Sequence, residues 1–397
     1  GSSTSSVDFT LSEGGAISGS VTDTGGLAIA GVAVDLYESV TEEWAAGSVT
    51  GTNGIYLAQG LPAADYVVRA TADGLGFAGE WYENIPDLSG APPTNAIPLS
   101  ATPGITNSGV DFVLNRGASV TGCVTDTSTT SFLAGAEVSL YTPSGEEVAD
   151  TLSAHDGTYA LPELPSGLFY IKATADSLNY VAEWHEDAIA TGFQVPTNAA
   201  AIALMPAVTN AISFALVEGG SFTGLVANVH TQSIEGIAID VYDVETNWLK
   251  SASTDSDGIY RVSGLPAPHA YYARTHDPIG IYSDEWYDDM PAPFAGVPAA
   301  ATPVPVPTGV SSVSVDFVLS ENGSVAGTVA DAGGTPLRDI DVLLYSDTGA
   351  LMQLDTTSAD GAYELPRLHP GVYYLLATPV YDAFRTEWYE DIEDPGN

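Results

Sequence analysis

The sequence predicts an all-β protein made of four tandem antiparallel β-sandwich modules, immunoglobulin-like in architecture, in a linear array. Three observations support this prediction. Four sequence markers recur in the same order, and successive copies lie 101 to 103 residues apart. Between the markers, apolar and polar residues alternate with a period of two, which is typical of strands with one buried face. No apolar period of 3.6 persists over about ten residues, so no helix is expected.

The four markers define the repeats. The first is an apolar strand of five residues, found at 7–11, 110–114, 212–216 and 315–319. The others are Gly-x-Val, a tight turn followed by Tyr, and Glu-Trp. Their equivalent residues are Gly19, Gly122, Gly224 and Gly327; Tyr56, Tyr159, Tyr260 and Tyr363; and Trp81, Trp184, Trp286 and Trp388. Because a β-sandwich of this kind takes about 100 residues, we expect repeats at 1–104, 105–207, 208–310 and 311–397.

Each repeat contains further strand and turn signals in a fixed order. In the first repeat, Val32, Val34 and Leu36 alternate with less apolar residues and predict a strand. The Asn-Gly and Asp-Gly pairs before the marker Tyr supply the positive backbone torsions of tight turns. Leu-Pro pairs then break the chain before a strand at 66–70 and its equivalents. The unit therefore consists of short strands joined by Gly- and Pro-containing turns.

A last strand is expected after each Glu-Trp marker, at 96–99, 201–204 and 303–306. Its prolines suit an edge strand. The fourth repeat stops at Asn397 before this strand, and no such strand precedes residue 7. Two explanations are open: the chain is a window cut from a longer array, or a neighbouring copy completes the module. The second predicts strand addition and head-to-tail polymerisation into a filament.

The charge of the chain limits its partners. Nine basic residues stand against 51 acidic ones, for a formal net charge of −42. Such a surface repels nucleic acid and anionic lipid, so neither is expected as a partner. No apolar run of 18 residues is present, so we expect no membrane insertion. With 45% hydrophobic residues the chain can still build cores, and its acidic surface attracts divalent cations.

Clustered acids predict calcium sites, because this cation prefers several carboxylate and carbonyl oxygens. Three acids or amides recur around each marker Trp, where they repel one another unless they are solvated or bridged by a cation. A solvated surface and plain turn chemistry are the alternatives that we keep open. The candidate ligands are Glu80, Glu83, Asn84, Glu183, Glu186, Asp187, Glu285, Asp288, Asp289, Glu387, Glu390 and Asp391, with Asp255 and Asp257 in a turn of calcium-loop spacing.

These motifs resemble the carboxypeptidase regulatory-like domain, a relative of the Cna-B and prealbumin-like folds. The matching pattern is Gly-x-Val-x-Asp, a strand ending in Leu-Tyr as at 36–37, Asp-Gly-x-Tyr, and Leu-Pro before a Tyr-rich strand. The resemblance implies an extracellular surface protein of a bacterium or archaeon. Cna-B modules often contain a Lys–Asn isopeptide bond, but Lys172 and Lys250 are the only lysines here. A crosslink present in every repeat is therefore excluded.

The expected function is structural and non-enzymatic. Neither HExxH, G-x-S-x-G nor a P-loop occurs, and near-equivalent copies argue against one specialised catalytic module. We expect a protomer or segment of an extracellular stalk or adhesion filament, with further copies of itself as end-to-end partners. One alternative is an adhesin array that presents Trp44 and Trp248 to surface polysaccharide. The other is the non-catalytic region of a secreted hydrolase.

Overall fold

The structure, a computed structural model, describes residues 11–186, 188–189, 195–291, 296–307, 311–347, 349–379, 384–389 and 392–393. These residues are almost entirely strand and turn, and their only helical element is a 3-10 turn at Asp176–Leu178. The predicted all-β class is therefore confirmed. None of the described elements is a helix long and apolar enough to cross a membrane. The chain divides into two compact units, one up to Glu218 and one from Gly219 onward.

The first unit contains two successive sets of strands, which we call module 1 and module 2. Module 1 consists of β1 (Gly15–Asp23), β2 (Ala33–Glu38), β3 (Trp44–Val49), β4 (Ile55–Leu61), β5 (Ala64–Thr71), β6 (Glu80–Trp81), β7 (Ile85–Pro86), β8 (Leu99–Ala101), β9 (Thr106–Ser108) and β10 (Phe112–Leu114). Module 2 consists of β11 (Ala118–Asp126), β12 (Glu137–Tyr141), β13 (Glu147–Leu152), β14 (Thr158–Leu164), β15 (Gly167–Thr174), β16 (Glu183–Trp184), β17 (Ala188–Ile189), β18 (Ile202–Leu204), β19 (Thr209–Ala211) and β20 (Phe214–Leu216).

The second unit contains module 3 and module 4. Module 3 consists of β21 (Gly220–Asn228), β22 (Ala238–Tyr242), β23 (Trp248–Ser253), β24 (Ile259–Leu265), β25 (His269–His276), β26 (Glu285–Trp286), β27 (Met290–Pro291), β28 (Val304–Val306), β29 (Ser311–Ser314) and β30 (Phe317–Leu319). Module 4 consists of β31 (Gly323–Thr328), β32 (Ile340–Ser346), β33 (Leu351–Thr356), β34 (Ala362–Leu368), β35 (Tyr373–Pro379), β36 (Glu387–Trp388) and β37 (Ile392–Glu393).

Modules 1 to 3 each contain two sheets of the same topology. In module 1 the larger sheet has the antiparallel order β3-β2-β5-β6-β7, and β8 also pairs with β5. In the smaller sheet, β1 pairs antiparallel with β4 on one edge and parallel with β9 and β10 on the other. The strand expected after each Glu-Trp marker is present as β8, β18 and β28, although β8 begins at Leu99 and overlaps the predicted 96–99 at that residue alone. In the described part of module 4, the larger sheet keeps its order but the smaller sheet contains β31 and β34 alone.

The parallel strands β10, β20 and β30 complete the module that precedes them in the chain. The sequence predicts that these residues begin the next repeat. In the structure, Val21 of β1 lies opposite Phe112 of β10, and β20 and β30 pair in the same way with β11 and β21. The predicted boundaries at 104, 207 and 310 therefore cut each module before its last strands. Sequence proximity misled the assignment because the true partner strand lies about 90 residues earlier.

Each module has its own apolar core between its two sheets. In module 1 the inward-facing Val34 and Leu36 of β2 are fully buried against Ile17 and Val21 of β1 and against Phe112. Equivalent clusters run from Ala118 to Leu216 in module 2 and from Phe222 to Leu319 in module 3. The cluster of module 4 is smaller and contains four buried residues, Val342, Leu344, Leu365 and Leu368. The cores thus end with β10, β20 and β30, in agreement with the strand pairing.

Candidate functional site

We call the segments 110–114, 212–216 and 315–319 closing strands, because each ends in the strand that completes the smaller sheet of its module. Their contacts are made largely by three repeated residues that belong to the sequence markers. These are the Gly of Gly-x-Val, the Tyr after the tight turn, and the Glu of Glu-Trp. The site around the closing strand is therefore built mainly from the residues by which the repeat is recognised.

The marker glycine allows the closing strand to pass directly over β1. A Cβ atom placed on Gly19 would lie 1.8 Å from the carbonyl oxygen of Val110. The corresponding distances are 1.5 Å for Gly122 to Ile212 O and 1.7 Å for Gly224 to Val315 O. No side chain fits in this space, so the close backbone approach requires glycine at this position. The conspicuous Gly-x-Val motif is thus explained by the closing strand rather than by a turn.

The marker tyrosine hydrogen bonds to the same carbonyl oxygen. The hydroxyl of Tyr56 donates to Val110 O at 2.7 Å, and that of Tyr159 donates to Ile212 O at 2.7 Å. Tyr260 makes the equivalent bond to Val315 O. Burial raises the pKa of all three phenols, with the charge of Asp111 adding to the effect at Tyr56. These hydroxyls therefore stay protonated as donors across the physiological pH range.

The marker glutamate lies beside the middle of the closing strand. The backbone N–H of Val318 donates to Glu285 Oε1 at 3.3 Å, and Val113 N–H donates to Glu80 in the same way. Burial raises the pKa of Glu80 to about 7, although the Val113 hydrogen bond opposes the shift. Burial and the nearby charge of Asp289 raise the pKa of Glu285 to about 7. These carboxyls are therefore partly protonated near neutral pH, which is unusual for glutamate.

The closing strand contributes its own recognition pattern, Val-Asp-Phe-x-Leu in modules 1 and 3. Asp111 Oδ1 accepts the backbone N–H of Ser20 at 2.7 Å, and Asp316 accepts that of Leu225 at 2.9 Å. The ring of Phe112 packs against those of Tyr56 and Tyr82, at centroid distances of 6.3 and 6.1 Å. The Leu at the last position of the pattern is fully buried in each closing strand. Alternate residues of the strand thus fill the core while Asp fixes its register.

Module 4 has the same marker residues around an open groove. Gly327, Tyr363 and Glu387 occupy the positions of Gly19, Tyr56 and Glu80. Within the described residues, β31 pairs with β34 alone, and a groove of about 810 Å³ lies along the edge that closing strands cover in the other modules. The groove is lined by residues that include Val329, Val342, Tyr363, Leu375, Trp388 and Tyr389.

The structure places the predicted calcium ligands in different environments. Glu80 and Glu183 are buried, Glu285 is partly buried, and Glu387 is exposed. The residues with left-handed backbone torsions in the turn after the marker Trp are Glu83, Asn84, Glu186, Asp288 and Asp289. Asp255 accepts the N–H groups of Asp257 and Ile259 at 3.0 and 2.9 Å, as a turn residue does. Asp187, Glu390 and Asp391 lie outside the described residues.

Across the described ranges, no three acidic, His or Cys side chains come together as a group that could hold a metal ion. The marker Glu and the acids that follow it are close in sequence, but the Glu side chain turns toward the closing strand while the others occupy the turn. Calcium binding at these residues stays a prediction of the sequence.

A cation stacked on two aromatic rings was missed by sequence reasoning. Trp81 and Tyr37 lie 5.5 Å apart between ring centroids, and the guanidinium of Arg69 lies 5.6 to 5.7 Å from both. In module 2, Lys172 Nζ lies 5.0 Å from Tyr141 and 5.4 Å from Trp184. The marker Trp is a packing residue in modules 1 to 3, since Trp81, Trp184 and Trp286 are each 1% exposed.

The same position holds Arg274 in module 3 and Leu376 in module 4, each opposite the marker Trp. Three of the nine basic residues of the chain thus occupy one equivalent position. The signal available in the sequence was their regular spacing, at residues 69, 172 and 274.

Trp44 is the most exposed tryptophan among the large apolar residues at the described surface, at 60% exposure. Its indole N–H donates to Asp35 Oδ1 at 2.9 Å, and its ring lies close to Gly47. Trp248 donates in the same way to Asp240 at 3.2 Å and is partly buried. The indole of Trp44 is therefore held in one orientation while much of its surface faces solvent.

Comparisons with solved structures give matches of low similarity. The Bacillus anthracis TIE protein is 12% identical over 92% of this chain and 66% of its own, with a TM-score of 0.21. A minor pilin of Streptococcus agalactiae is 13% identical over 51% of this chain and 96% of its own, with a TM-score of 0.28. The major pilin subunit of Bacillus cereus is 12% identical over 78% of this chain and 99% of its own, with a TM-score of 0.19. These scores are too low to support any statement about this chain.

The family comparison is more specific. No curated protein matches the chain. The carboxypeptidase regulatory-like domain family matches residues 16–92 and 119–203. These ranges contain the Gly-x-Val, Tyr and Glu-Trp markers of modules 1 and 2, so the match rests on the residues that surround the closing strand. The resemblance to this family that the motifs predicted is therefore confirmed for these two segments.

Proposed function

We propose that this chain is a structural protein of the cell exterior, a segment of a stalk or adhesion filament whose copies join end to end. The observation that supports this most directly is the use of the repeated residues. The marker Gly and Tyr hold the closing strand in modules 1 to 3, and the marker Glu, which an enzyme could use for chemistry, contacts it in modules 1 and 3. The repeated features therefore build modules and join them in tandem.

The connection between modules 1 and 2 is short and held by several contacts. Glu163 of module 2 accepts the backbone N–H groups of Gly74 and Gly76 of module 1 at 2.9 and 2.6 Å. The guanidinium of Arg116 lies 4.1 Å from the ring centroid of Phe77. These contacts oppose bending at this junction, which is what a stalk or filament requires.

The connection between modules 3 and 4 uses a different residue for the same purpose. The side-chain amide of Asn322 donates to Gly280 O and Tyr282 O at 3.2 and 2.9 Å. Its Oδ1 accepts the hydroxyl of Ser283 at 2.6 Å. All the hydrogen-bonding atoms of this amide thus face module 3, so the two modules are joined by a specific contact rather than by a free linker.

The finer parts of the proposal are calcium stiffening and assembly by strand complementation. Support for calcium is the net charge of −42, which a divalent cation would screen where copies meet. Support for strand complementation is the open groove of module 4, because an unpaired strand edge is a template for an added strand.

Electron microscopy of the purified chain, with millimolar calcium and again with chelator, tests these parts separately. Long fibres that disappear with chelator are the expected result. Fibres that form equally well with chelator would support filament assembly and contradict a role for calcium in it. Short single rods in both conditions would contradict end-to-end assembly.

A second candidate function is binding of surface polysaccharide. The fixed and exposed indole of Trp44 favours it, because sugars pack on flat aromatic faces that carry a polar neighbour such as Asp35. Retention on a glycan column should then be lost in Trp44→Ala or Trp248→Ala. Equal retention of the parent protein and both variants would contradict it.

A further inference from the structure

The groove of module 4 has the features that hold a closing strand elsewhere in the chain. In modules 1 and 3, the counterparts of Val329 are Val21 and Val226, both fully buried beneath the closing strand. Val329 itself is only partly buried, and Tyr389 is 69% exposed. The counterparts of Tyr389 are Tyr82 and Tyr287, which pack on the Phe of the closing strand. The groove thus presents apolar surface that a Val-x-Phe-x-Leu strand would cover.

The backbone in the groove also leaves room for such a strand. The nearest heavy atom to a Cβ placed on Gly327 is the hydroxyl oxygen of Tyr363, at 2.8 Å. In the other three modules that nearest atom is the carbonyl oxygen of the closing strand. The position of the carbonyl is therefore open in module 4, and the tyrosine that would donate to it is already beside it.

One further segment of this chain has the matching sequence pattern. Residues 7–11 read Val-Asp-Phe-Thr-Leu, against Val-Asp-Phe-Val-Leu at 110–114 and 315–319. The site for this pattern in module 1 is filled by 110–114. The Asp that fixes the register in modules 1 and 3 is also present, as Asp8.

We infer that the groove of module 4 binds residues 7–11 of a second copy of this chain as a parallel strand along residues 327–331, where β31 ends. This inference rests on the proposed end-to-end assembly and names the contact that produces it. The register of modules 1 and 3 places Phe9 opposite Val329, Thr10 opposite Ala330 and Leu11 opposite Asp331. Asp8 then accepts the backbone N–H of Thr328, and Tyr363 donates to the carbonyl oxygen of Val7.

Disulfide trapping tests this register. Cys123 is the only cysteine and is first replaced by serine, the residue found at the same position in module 1. One protein then carries Thr10→Cys and the other Ala330→Cys. The counterparts of Thr10 point outward, since Val113 is 43% and Val318 51% exposed, so these substitutions leave the apolar contacts intact. Mixing the two proteins under mild oxidation should give a covalent dimer as the main product.

A matched control places the second cysteine at Ser324, which lies in β31 six residues before Ala330. At about 3.3 Å per residue this is about 20 Å from Ala330, beyond the Cα separation of about 7 Å that a disulfide spans. The dimer yield with Ser324→Cys should be at least about tenfold lower. Equal yields from the two pairs would overturn the inference.

Two further measurements separate this inference from the proposed function. Adding Gly327→Ala to the Ala330→Cys protein should abolish the dimer, because the new methyl group occupies the place of the strand carbonyl. A free peptide of residues 5–13 should compete with dimer formation. Fibres without the Thr10–Ala330 crosslink would overturn the inference and leave end-to-end assembly standing. A specific crosslink in particles that never grow beyond dimers would support the inference and contradict the filament.

Discussion

Replacing Gly19 with alanine should displace the closing strand of module 1. The new Cβ would lie 1.8 Å from the carbonyl oxygen of Val110, and non-bonded carbon and oxygen atoms stay more than about 3 Å apart. The strand must therefore move by more than about 1 Å. This movement breaks the hydrogen bond from Tyr56 to Val110 O and weakens the one from Val110 N–H to Ser18 O.

The cost follows from what the strand buries. The two hydrogen bonds contribute about 1 kcal/mol each. Phe112 and Leu114 are 1% and 0% exposed, and each contributes about 2 kcal/mol if the strand leaves the core. We therefore expect a loss of about 2 kcal/mol for a shifted strand and about 6 kcal/mol for a released one. The larger figure is comparable with the net stability of a whole domain.

Hydrogen exchange of residues 110–114 measures this loss locally, which avoids assigning one unfolding free energy to a chain of several domains. A loss of 2 kcal/mol corresponds to exchange about 30 times faster. Gly327→Ala is the matched control, because the nearest atom there is a tyrosine hydroxyl and the described residues of module 4 include no closing strand above it. Unchanged exchange of 110–114 in Gly19→Ala would refute the explanation of the Gly-x-Val motif.

Three further predictions concern the remaining repeated and joining residues. The pKa of Glu80 is raised from its ordinary 4.5 to about 7 in the folded state. Between these pH values the folded state therefore binds more protons than the unfolded state, and the free energy of unfolding decreases as pH rises. Glu80→Gln should remove up to about 3 kcal/mol of that fall between pH 4 and pH 8, measured by chemical denaturation at both pH values. Lys172→Met should cost module 2 about 1 kcal/mol by removing the cation over Trp184, measured by exchange of β15. Glu163→Ala should loosen the junction of modules 1 and 2 by about 1 to 3 kcal/mol and broaden the particle dimensions in small-angle scattering.

Each of these has a result that contradicts it. A pH dependence that is the same in Glu80→Gln and the parent protein would show that this carboxyl does not titrate in the folded state near pH 7. If the hydrogen-exchange rate of β15 is the same in the parent protein and in Lys172→Met, the cation stack does not stabilise module 2. For the junction, the exposed Glu146→Ala of the same module serves as control, and equal broadening in both variants would contradict the role of Glu163.

The fold class could be predicted because local signals agree over the whole chain. The alternation of Val32, Val34 and Leu36 reports directly which face of a strand is buried, and all three are fully buried. Asn-Gly and Asp-Gly turns fix where strands reverse, and Gly54 indeed has a positive φ of 72°. Both signals depend on neighbouring residues alone, so one sequence is enough to find them.

The assignment of the closing strand failed for the opposite reason. A parallel strand can pair with a strand that lies far away in the sequence. Its own residues do not show which strand that is. The clue to the pairing was that Gly19 and its equivalents recur in the middle of a strand, where glycine otherwise weakens the strand. Such a glycine indicates that another backbone passes close by. With that rule, 110–114 could have been assigned to the module that precedes it.

The predicted calcium ligands show a related limit, because residues that are close in sequence can have side chains that point in different directions. Glu80, Glu83 and Asn84 are close in sequence, but strand geometry turns the first inward and the tight turn exposes the others. Proximity along the chain therefore does not by itself bring these three side chains together. Arg69 was overlooked because an isolated basic residue matches no sequence motif. Its role is evident only in the structure, where its guanidinium lies beside the rings of Tyr37 and Trp81.

Our central proposal is that copies of this chain join end to end through the open edge of module 4. Electron microscopy of the parent protein and of Gly327→Ala, at equal concentration in calcium, tests it most directly. We expect long fibres of the parent protein and single short rods of Gly327→Ala. Fibres of equal length from both proteins would show that assembly does not use this groove.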